Sequence, residues 1–191
     1  MCDVGRTDYD TILPMDQSIV RMYRIATYVK EIDKAIHLGN YCKSMGYEVC
    51  CNIMAVSHCL EPEIDEALDQ LADTDYEAVY LVDSFGYLYS ERVHYLAEKY
   101  LTRLKGKQVG IHMHNNMQLA FANTIEGIVV GANFLDATMA GLGRGAGNCQ
   151  MELLLGFLHN PKYNLRPVLE CVQNTIEPMR SKLLWGYDLP Y

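Results

Sequence analysis

Along nearly the whole chain, short apolar runs rich in β-branched and aromatic residues alternate with segments whose apolar positions recur every three to four residues. The strand-like runs fall at residues 22–26, 48–55, 78–83, 108–112 and 133–137, and the helix-like segments at 31–45, 62–71, 90–104, 117–130 and 150–158. A hydrophobic period that switches from two to 3.6 and back predicts repeated βαβ units feeding a parallel sheet, an α/β fold. The punctuation agrees. Glu61-Pro62 opens one helix with proline in its first turn, Ser90-Glu91 precedes the spacing Val93, Leu96, Ala97, and Gly39, Gly46, Gly106 and Gly131 sit in or just after helices. No proline-rich linker or low-complexity tract divides the chain, so residues 1–191 read as one domain or part of one.

Both ends bear on that last point. Residues 1–5 read as a sixth strand already under way, and the chain stops on the apolar aromatic run 185–191, in which Trp185 and Tyr187 are assigned packing only. A closed (β/α)8 barrel takes about 250 residues, more than this chain has. An open doubly wound sheet fits the length but needs a glycine-rich phosphate loop after its first strand, and none stands there. A partial barrel leaves edges and apolar faces uncovered, from which a homo-oligomer or poor solubility is expected.

Charge narrows the partners. With 24 acidic side chains against 16 Lys plus Arg and a net charge of -8, the chain lacks the clustered cations needed to track nucleic acid or an anionic membrane. No segment approaches the roughly 20 apolar residues of a membrane span, and the N-terminus lacks the apolar core of a signal peptide. Seven scattered cysteines with no C-x-x-C pair suit a reducing cytoplasm, and Cys50 and Cys51, adjacent in a strand, face opposite ways and cannot readily share a metal. A small molecule, another subunit or a cation is the expected partner.

Two segments carry chemistry. Gly110-Ile111-His112-Met113-His114-Asn115-Asn116 ends a strand pattern, and residues two apart on a strand share a face, so His112 and His114 stand side by side. Two such imidazoles can bind one divalent metal with a carboxylate from elsewhere completing the set. Carboxyl ends of parallel strands are where such folds bind ligands, and Ser57-His58, Asp83, Asp136 and Thr138 collect there too, although an Asp at a strand end can equally cap the following turn. The second segment, residues 140–148, places Gly141, Gly143, Gly145 and Gly147 around Arg144 just before a helix, which suits either close approach to an anionic ligand or a tight ligand-free turn.

Taken together, the H-x-H-N-N-M-Q-L-A-F-A-N-T-I run from His112, the D-A-T-M-A-G-L-G-R-G-A-G-N run from Asp136 and the earlier V-D-S-F-G from Val82 resemble the HMG-CoA-lyase-like (DRE-TIM) metallolyases, over residues 47–160. Asn116 after the histidine pair, Ser57-His58 and the glycine spacing look more like the 4-hydroxy-2-oxovalerate aldolase branch than the acyl-CoA condensing or HMG-CoA-lyase branches. The resemblance implies a barrel seen from about strand three to strand eight. It also implies Mn²⁺ or Mg²⁺, with Zn²⁺ admissible, held by His112, His114 and Asn148. Asp83, Asp136, Thr138, Gly143 and Arg144 would serve a small 2-oxo-acid substrate, cleaved to pyruvate and an aldehyde through a metal-stabilised enolate. An acylating aldehyde dehydrogenase is the implied channelling partner. The family's Arg-Asp motif, which supplies an Asp ligand, an enolate-stabilising Arg and the base, has no match here; Arg6-Thr7-Asp8 is a poor substitute. Without it the catalytic residues are unassigned, and a non-catalytic remnant that keeps the fold stands as an alternative.

Overall fold

A computed structural model describes residues 1–187; Asp188 to Tyr191, the end of the aromatic run, lie outside the described residues. Six parallel strands form one sheet in chain order, β1 (Cys2–Asp3), β2 (Met22–Tyr28), β3 (Glu48–Met54), β4 (Ala78–Asp83), β5 (Gln108–Met113) and β6 (Phe134–Leu135). Helices α1 (Ile32–Ser44), α2 (Glu61–Ala72), α3 (Ser90–Arg103) and α4 (Ala120–Val130) connect β2 through β6 in turn, and α5 (Met151–Leu158), α6 (Leu165–Cys171) and the short α7 (Glu177–Met179) follow. The architecture is the α/β arc of a partial (β/α)8 barrel, and the expected fold class holds.

Sequence-level causes of the helices are visible. Pro62 sits in the first turn of α2 and the Glu63 carboxylate accepts the Leu60 amide at 3.0 Å, while Ile64, Ala67, Leu68 and Leu71 form its buried stripe. In α3 the same role falls to Val93, Leu96, Ala97 and Tyr100, at offsets of three and four. These stripes meet the helix side of the sheet, where Ile25, Val49, Cys51, Ile53, Val79, Leu81, Val109, Ile111 and Met113 complete the main core. Each large aliphatic side chain withdrawn there contributes on the order of 1.5–3 kcal/mol.

The other sheet face is the barrel lumen. A smaller cluster of Cys50, Ala78, Tyr80 and Val82 lies on it, with Met22 and Phe134 packed at its edge. Curvature is demonstrated by one contact. β2 and β6 stand four strand spacings apart, about 19 Å in a flat sheet, yet Arg24 of β2 forms a bidentate pair with Asp136 just after β6, at 2.9 and 2.6 Å. The sheet must curl for that pair to close.

Differences from the sequence expectation lie at the ends of elements and after residue 160. β6 is two residues rather than five, α4 starts at Ala120 rather than near Met117, and the sixth strand at the N-terminus is Cys2–Asp3. Gln118 adopts a left-handed conformation (φ 60°), and Asn115 accepts the Ala120 amide through Oδ1 at 3.1 Å, so the turn before α4 is closed by a side chain. The segment after 160, for which no element was expected, carries α6 and α7.

Candidate metal centre

The carboxyl ends of β2 through β5 enclose a pocket of about 330 Å³ lined by Asn52, Ser84, His112, His114 and Arg144 on its polar side and by Ala26, Met54, Val82 and Phe85 on its apolar side. Register explains who lines it. Val82 pairs with His112, so both face the lumen, whereas Asp83 pairs with Met113 and shares its helix-facing side.

Asp83 is therefore a correction to the expected substrate-binding set. It is fully buried on the helix side, and its carboxylate accepts the Tyr87 and Leu88 amides at 3.2 and 2.9 Å, closing the β4–α3 loop. Burial pushes its carboxyl up against the pull of those amides. It shapes the loop and does not reach the pocket.

The two histidines do come together, with ring centroids 5.2 Å apart and planes at 66°. His112 Nδ1 lies within hydrogen-bond distance of Asp136 Oδ2, at 2.8 Å. His114 makes no such bond among the described residues; burial first, then the neighbouring His112 and Arg144, pull it down to about 4, so its ring is neutral at physiological pH and keeps a lone pair to offer a metal. Asp136 behaves oppositely to Asp83. Burial works against its charge, but the hydrogen bonds from His112 and Arg24 prevail and hold the carboxyl below its usual range.

The glycine loop is built around Asn148. An isolated antiparallel bridge joins Asn148 to His114, the Asn115 amide donates to Gly147 O at 2.9 Å, and the Cys149 amide donates to Met113 O at 3.1 Å, which pins the loop to the end of β5. A side chain at Gly143 would run into the Asn148 amide group, so glycine is required there for the asparagine to sit. Asn148 donates from Nδ2 to Leu142 O at 3.2 Å, leaving its buried Oδ1 without a partner among the described residues. Thr138 Oγ1, in the neighbouring loop, is likewise buried and unpartnered. Such orphans are costly unless something satisfies them.

Arg144 projects from the same loop, exposed, and donates to Ser84 O at 3.2 Å across the pocket mouth. His58 lies outside the pocket, edge-on to Phe85 at 4.5 Å. Asn116 packs against Gly86, whose φ of 62° and close backbone approach explain the glycine of V-D-S-F-G. Arg6 and Asp8 are taken up locally, Arg6 against Asp3 at 3.8 Å and Asp8 by the Asp10 amide, far from the role of the missing motif. Two alanines flank the site in left-handed conformation, Ala55 (φ 56°) held by Ser84 Oγ and Ala140 (φ 52°) held by Glu152. Each costs about 1–2 kcal/mol, and strain of this kind gathers at ligand sites.

Three residues missed by the sequence reading complete the lumen. Arg24 pairs with Asp136, donates from Nε to Asn52 Oδ1 at 3.1 Å and stacks over the Tyr80 ring at 3.9 Å. Their common signal is parity: a cation inside an otherwise apolar strand, in phase with polar residues of the next strands. Trp185, given no role, is buried beneath the glycine loop and donates from Nε1 to Ala140 O at 2.9 Å, while Tyr187 donates to Asn115 O at 2.9 Å.

The donor set suits a divalent metal in part. The two imidazoles stand side by side, and the loop that carries Asn148 is bridged to His114 through the backbone, but the Asp136 carboxylate is already taken up, and among the described residues no group of three or more His, Cys, Asp or Glu side chains is placed to hold a metal.

A curled parallel βα arc with a strand-end histidine pair and a glycine loop defines a barrel-type ligand site at the carboxyl ends of the strands. The HMGL-like family model matches residues 15–175, and the chain belongs to that family. It is 36% identical over 172 residues to a 4-hydroxy-2-oxovalerate aldolase of Pelotomaculum thermopropionicum, covering 87% of this chain and 50% of that protein. It is 38% identical over 139 residues to an oxaloacetate decarboxylase of Mycobacterium tuberculosis, covering 71% of this chain and 40% of that one. The solved N-terminal domain of a putative aldolase from Bacteroides vulgatus superposes with a TM-score of 0.74 at 33% identity, covering 93% of this chain and 62% of that chain. The chain thus spans about half the length of the curated relatives it matches.

Proposed function

We propose that the chain carries the histidine side of a divalent-metal site in an aldolase that cleaves a 4-hydroxy-2-oxo acid, of the 4-hydroxy-2-oxovalerate kind, to pyruvate and an aldehyde. The observation that carries this reading is the His112–His114 pair side by side at the end of β5, with the glycine loop that carries Asn148 bridged to His114. His112, His114 and Asn148 would hold Mn²⁺ or Mg²⁺, or Zn²⁺, which supplies Lewis acidity toward the substrate's 2-oxo group when bound. The family's carboxylate ligand has no counterpart among the described residues.

The chain's own side chains supply the rest of the recognition. Arg144 at the mouth offers a cation for the substrate carboxylate, and the wall of Ala26, Met54, Val82 and Phe85 receives the alkyl end. Gly143 makes room for Asn148, the Thr138 backbone ties the loop end through the Cys149 carbonyl and the Met151 amide, and Asp136 acts from behind His112 rather than on substrate. A cytoplasmic setting goes with seven cysteines that form no disulfide, and no helix among the described residues is long and apolar enough to cross a membrane. A homo-oligomer and an aldehyde dehydrogenase partner belong to the same reading.

Oxaloacetate cleavage is the second reading, favoured by the similarity to the M. tuberculosis decarboxylase. Both reactions break a bond to the carbon next to a 2-oxo group, so the same electron-withdrawing end serves either. Titration calorimetry with Mn²⁺ on the protein and on a His112→Ala, His114→Ala double variant tests the site, with binding expected only in the unsubstituted protein. Pyruvate release from 4-hydroxy-2-oxovalerate and from oxaloacetate then separates the two substrates; equal Mn²⁺ binding by both proteins would sink the site assignment.

A further inference from the structure

We propose that Arg24 and Asp136 form a positioning pair that fixes the tautomer of His112, placing the proton on Nδ1 and leaving the Nε2 lone pair for the pocket. The consequence for metal binding rests on the reading above; the tautomer itself does not.

The geometry is over-determined from strand to strand. Asp136 Oδ2 receives both Arg24 Nη2 at 2.6 Å and His112 Nδ1 at 2.8 Å, and Asp136 Oδ1 receives Arg24 Nη1 at 2.9 Å. An ionised carboxylate only accepts, so the imidazole nitrogen facing it must be the donor. The guanidinium keeps that carboxylate ionised and, by its fork, fixes the carboxylate plane in a way a point charge would not. Arg24 is in turn immobilised by Asn52 Oδ1, itself buried, and by the face of Tyr80. Tyr80 lies where it does because Gly110, its partner in the β4–β5 register, has no Cβ to run into the ring. Five residues on five neighbouring strand ends or interiors, Arg24, Asn52, Tyr80, Gly110 and Asp136, thus converge on one ring nitrogen of His112.

His114 marks the contrast. Its ring has no comparable partner among the described residues, and it is placed through the backbone, by the bridge to Asn148 and the amide bond to Asp83 O at 3.3 Å. A neutral imidazole presents a lone pair on only one nitrogen, so a wrong tautomer at His112 would turn a donor hydrogen toward the pocket. Arg24 reaches His112 only by way of Asp136, so the pair acts through the imidazole.

Long-range ¹H–¹⁵N correlation of the imidazoles at pH 8 in the metal-free protein reads the tautomer directly. A pyrrole-type Nδ1 and pyridine-type Nε2 at His112 are expected, and the Nε2–H form there would overturn the proposal. In Asp136→Ala the Nδ1–H signature is lost while the backbone spectrum outside the lumen is retained, and Mn²⁺ affinity falls roughly 10–100-fold. Arg24→Lys, which keeps the charge without the fork, lies between. Should the unsubstituted protein show the Nδ1–H form yet bind no Mn²⁺, the pair stands and the metal reading fails. Should it bind Mn²⁺ with an affinity that Asp136→Ala leaves unchanged, the metal reading stands and the pair's positioning role fails.

Discussion

Asp83 ends β4 and Asp136 follows β6, and both carboxylates are largely withdrawn from water, but the two sides of the sheet treat them in opposite ways. On the helix side Asp83 meets only neutral backbone amides, and burial wins, raising its carboxyl above the usual range. On the lumen side Asp136 meets a guanidinium fork and an imidazole, and these donors win over burial. Neutral dipoles suffice to hold a loop in shape, whereas sustaining a charge away from water takes a charged partner with matched geometry. The first carboxylate serves the fold and the second serves the site.

The largest expected effect strikes the lumen. Gly110→Val drives a branched side chain into the Tyr80 ring and should cost about 3 kcal/mol in urea unfolding. A variant that melts like the unsubstituted protein would show that Tyr80 and Arg24 are free to rearrange. Next comes the helix side: Asp83→Ala strands the Tyr87 and Leu88 amides and should cost about 2 kcal/mol, with Mn²⁺ affinity unchanged. Loss of Mn²⁺ binding there would erase the division between the two carboxylates.

A smaller effect, in pH, sharpens the contrast through its sign. For Asp136, lowered in the folded state, the stability gained is present above the ordinary aspartate pKa of about 3.9 and lost as pH falls through the lowered value. For Asp83, raised in the folded state, it is present below about 3.9 and lost as pH rises through the raised value. Urea midpoints of Asp136→Asn and Asp83→Asn in the metal-free protein, taken from pH 3 to 7, should therefore diverge from the unsubstituted protein in opposite directions. The least effect belongs to the outer ionic cluster, where Glu61 joins Arg92 and Lys99 at the surface of α2 and α3. Glu61→Ala should cost below about 1 kcal/mol and less at high salt, because Glu61 and Arg92 are exposed and the more enclosed Lys99 keeps Asp65 as a partner; a cost as large as that of Asp83→Ala would contradict it.

The alternation of periods located every strand and α-helix between residues 22 and 158, because amphipathic stripes such as Val93, Leu96 and Ala97 declare their buried side locally. His112 and His114 stood out as candidates by their spacing at a strand end and Arg144 by its place in a glycine loop, whereas Asn148 entered only through the family resemblance. Asp83 was misread since facing depends on register between strands, and the pairing of Val82 with His112 is a non-local fact. Arg24 escaped for a related reason: its partner stands 112 residues away in sequence, and only the curl of the sheet makes it a neighbour.

The chain has a single tryptophan, and it lies under the glycine loop. Trp185 is clamped between the Ala140 carbonyl and the Arg180 guanidinium, 4.2 Å over its ring, while the next residue, Gly186, donates its amide to Gly145 O at 2.9 Å. Indole emission from this protein consequently originates at one place, directly beneath the segment that carries Arg144 and Asn148. The molecule contains its own optical probe of that loop, and a ligand that reorders residues 140–148 will register as a change in emission without any label being attached.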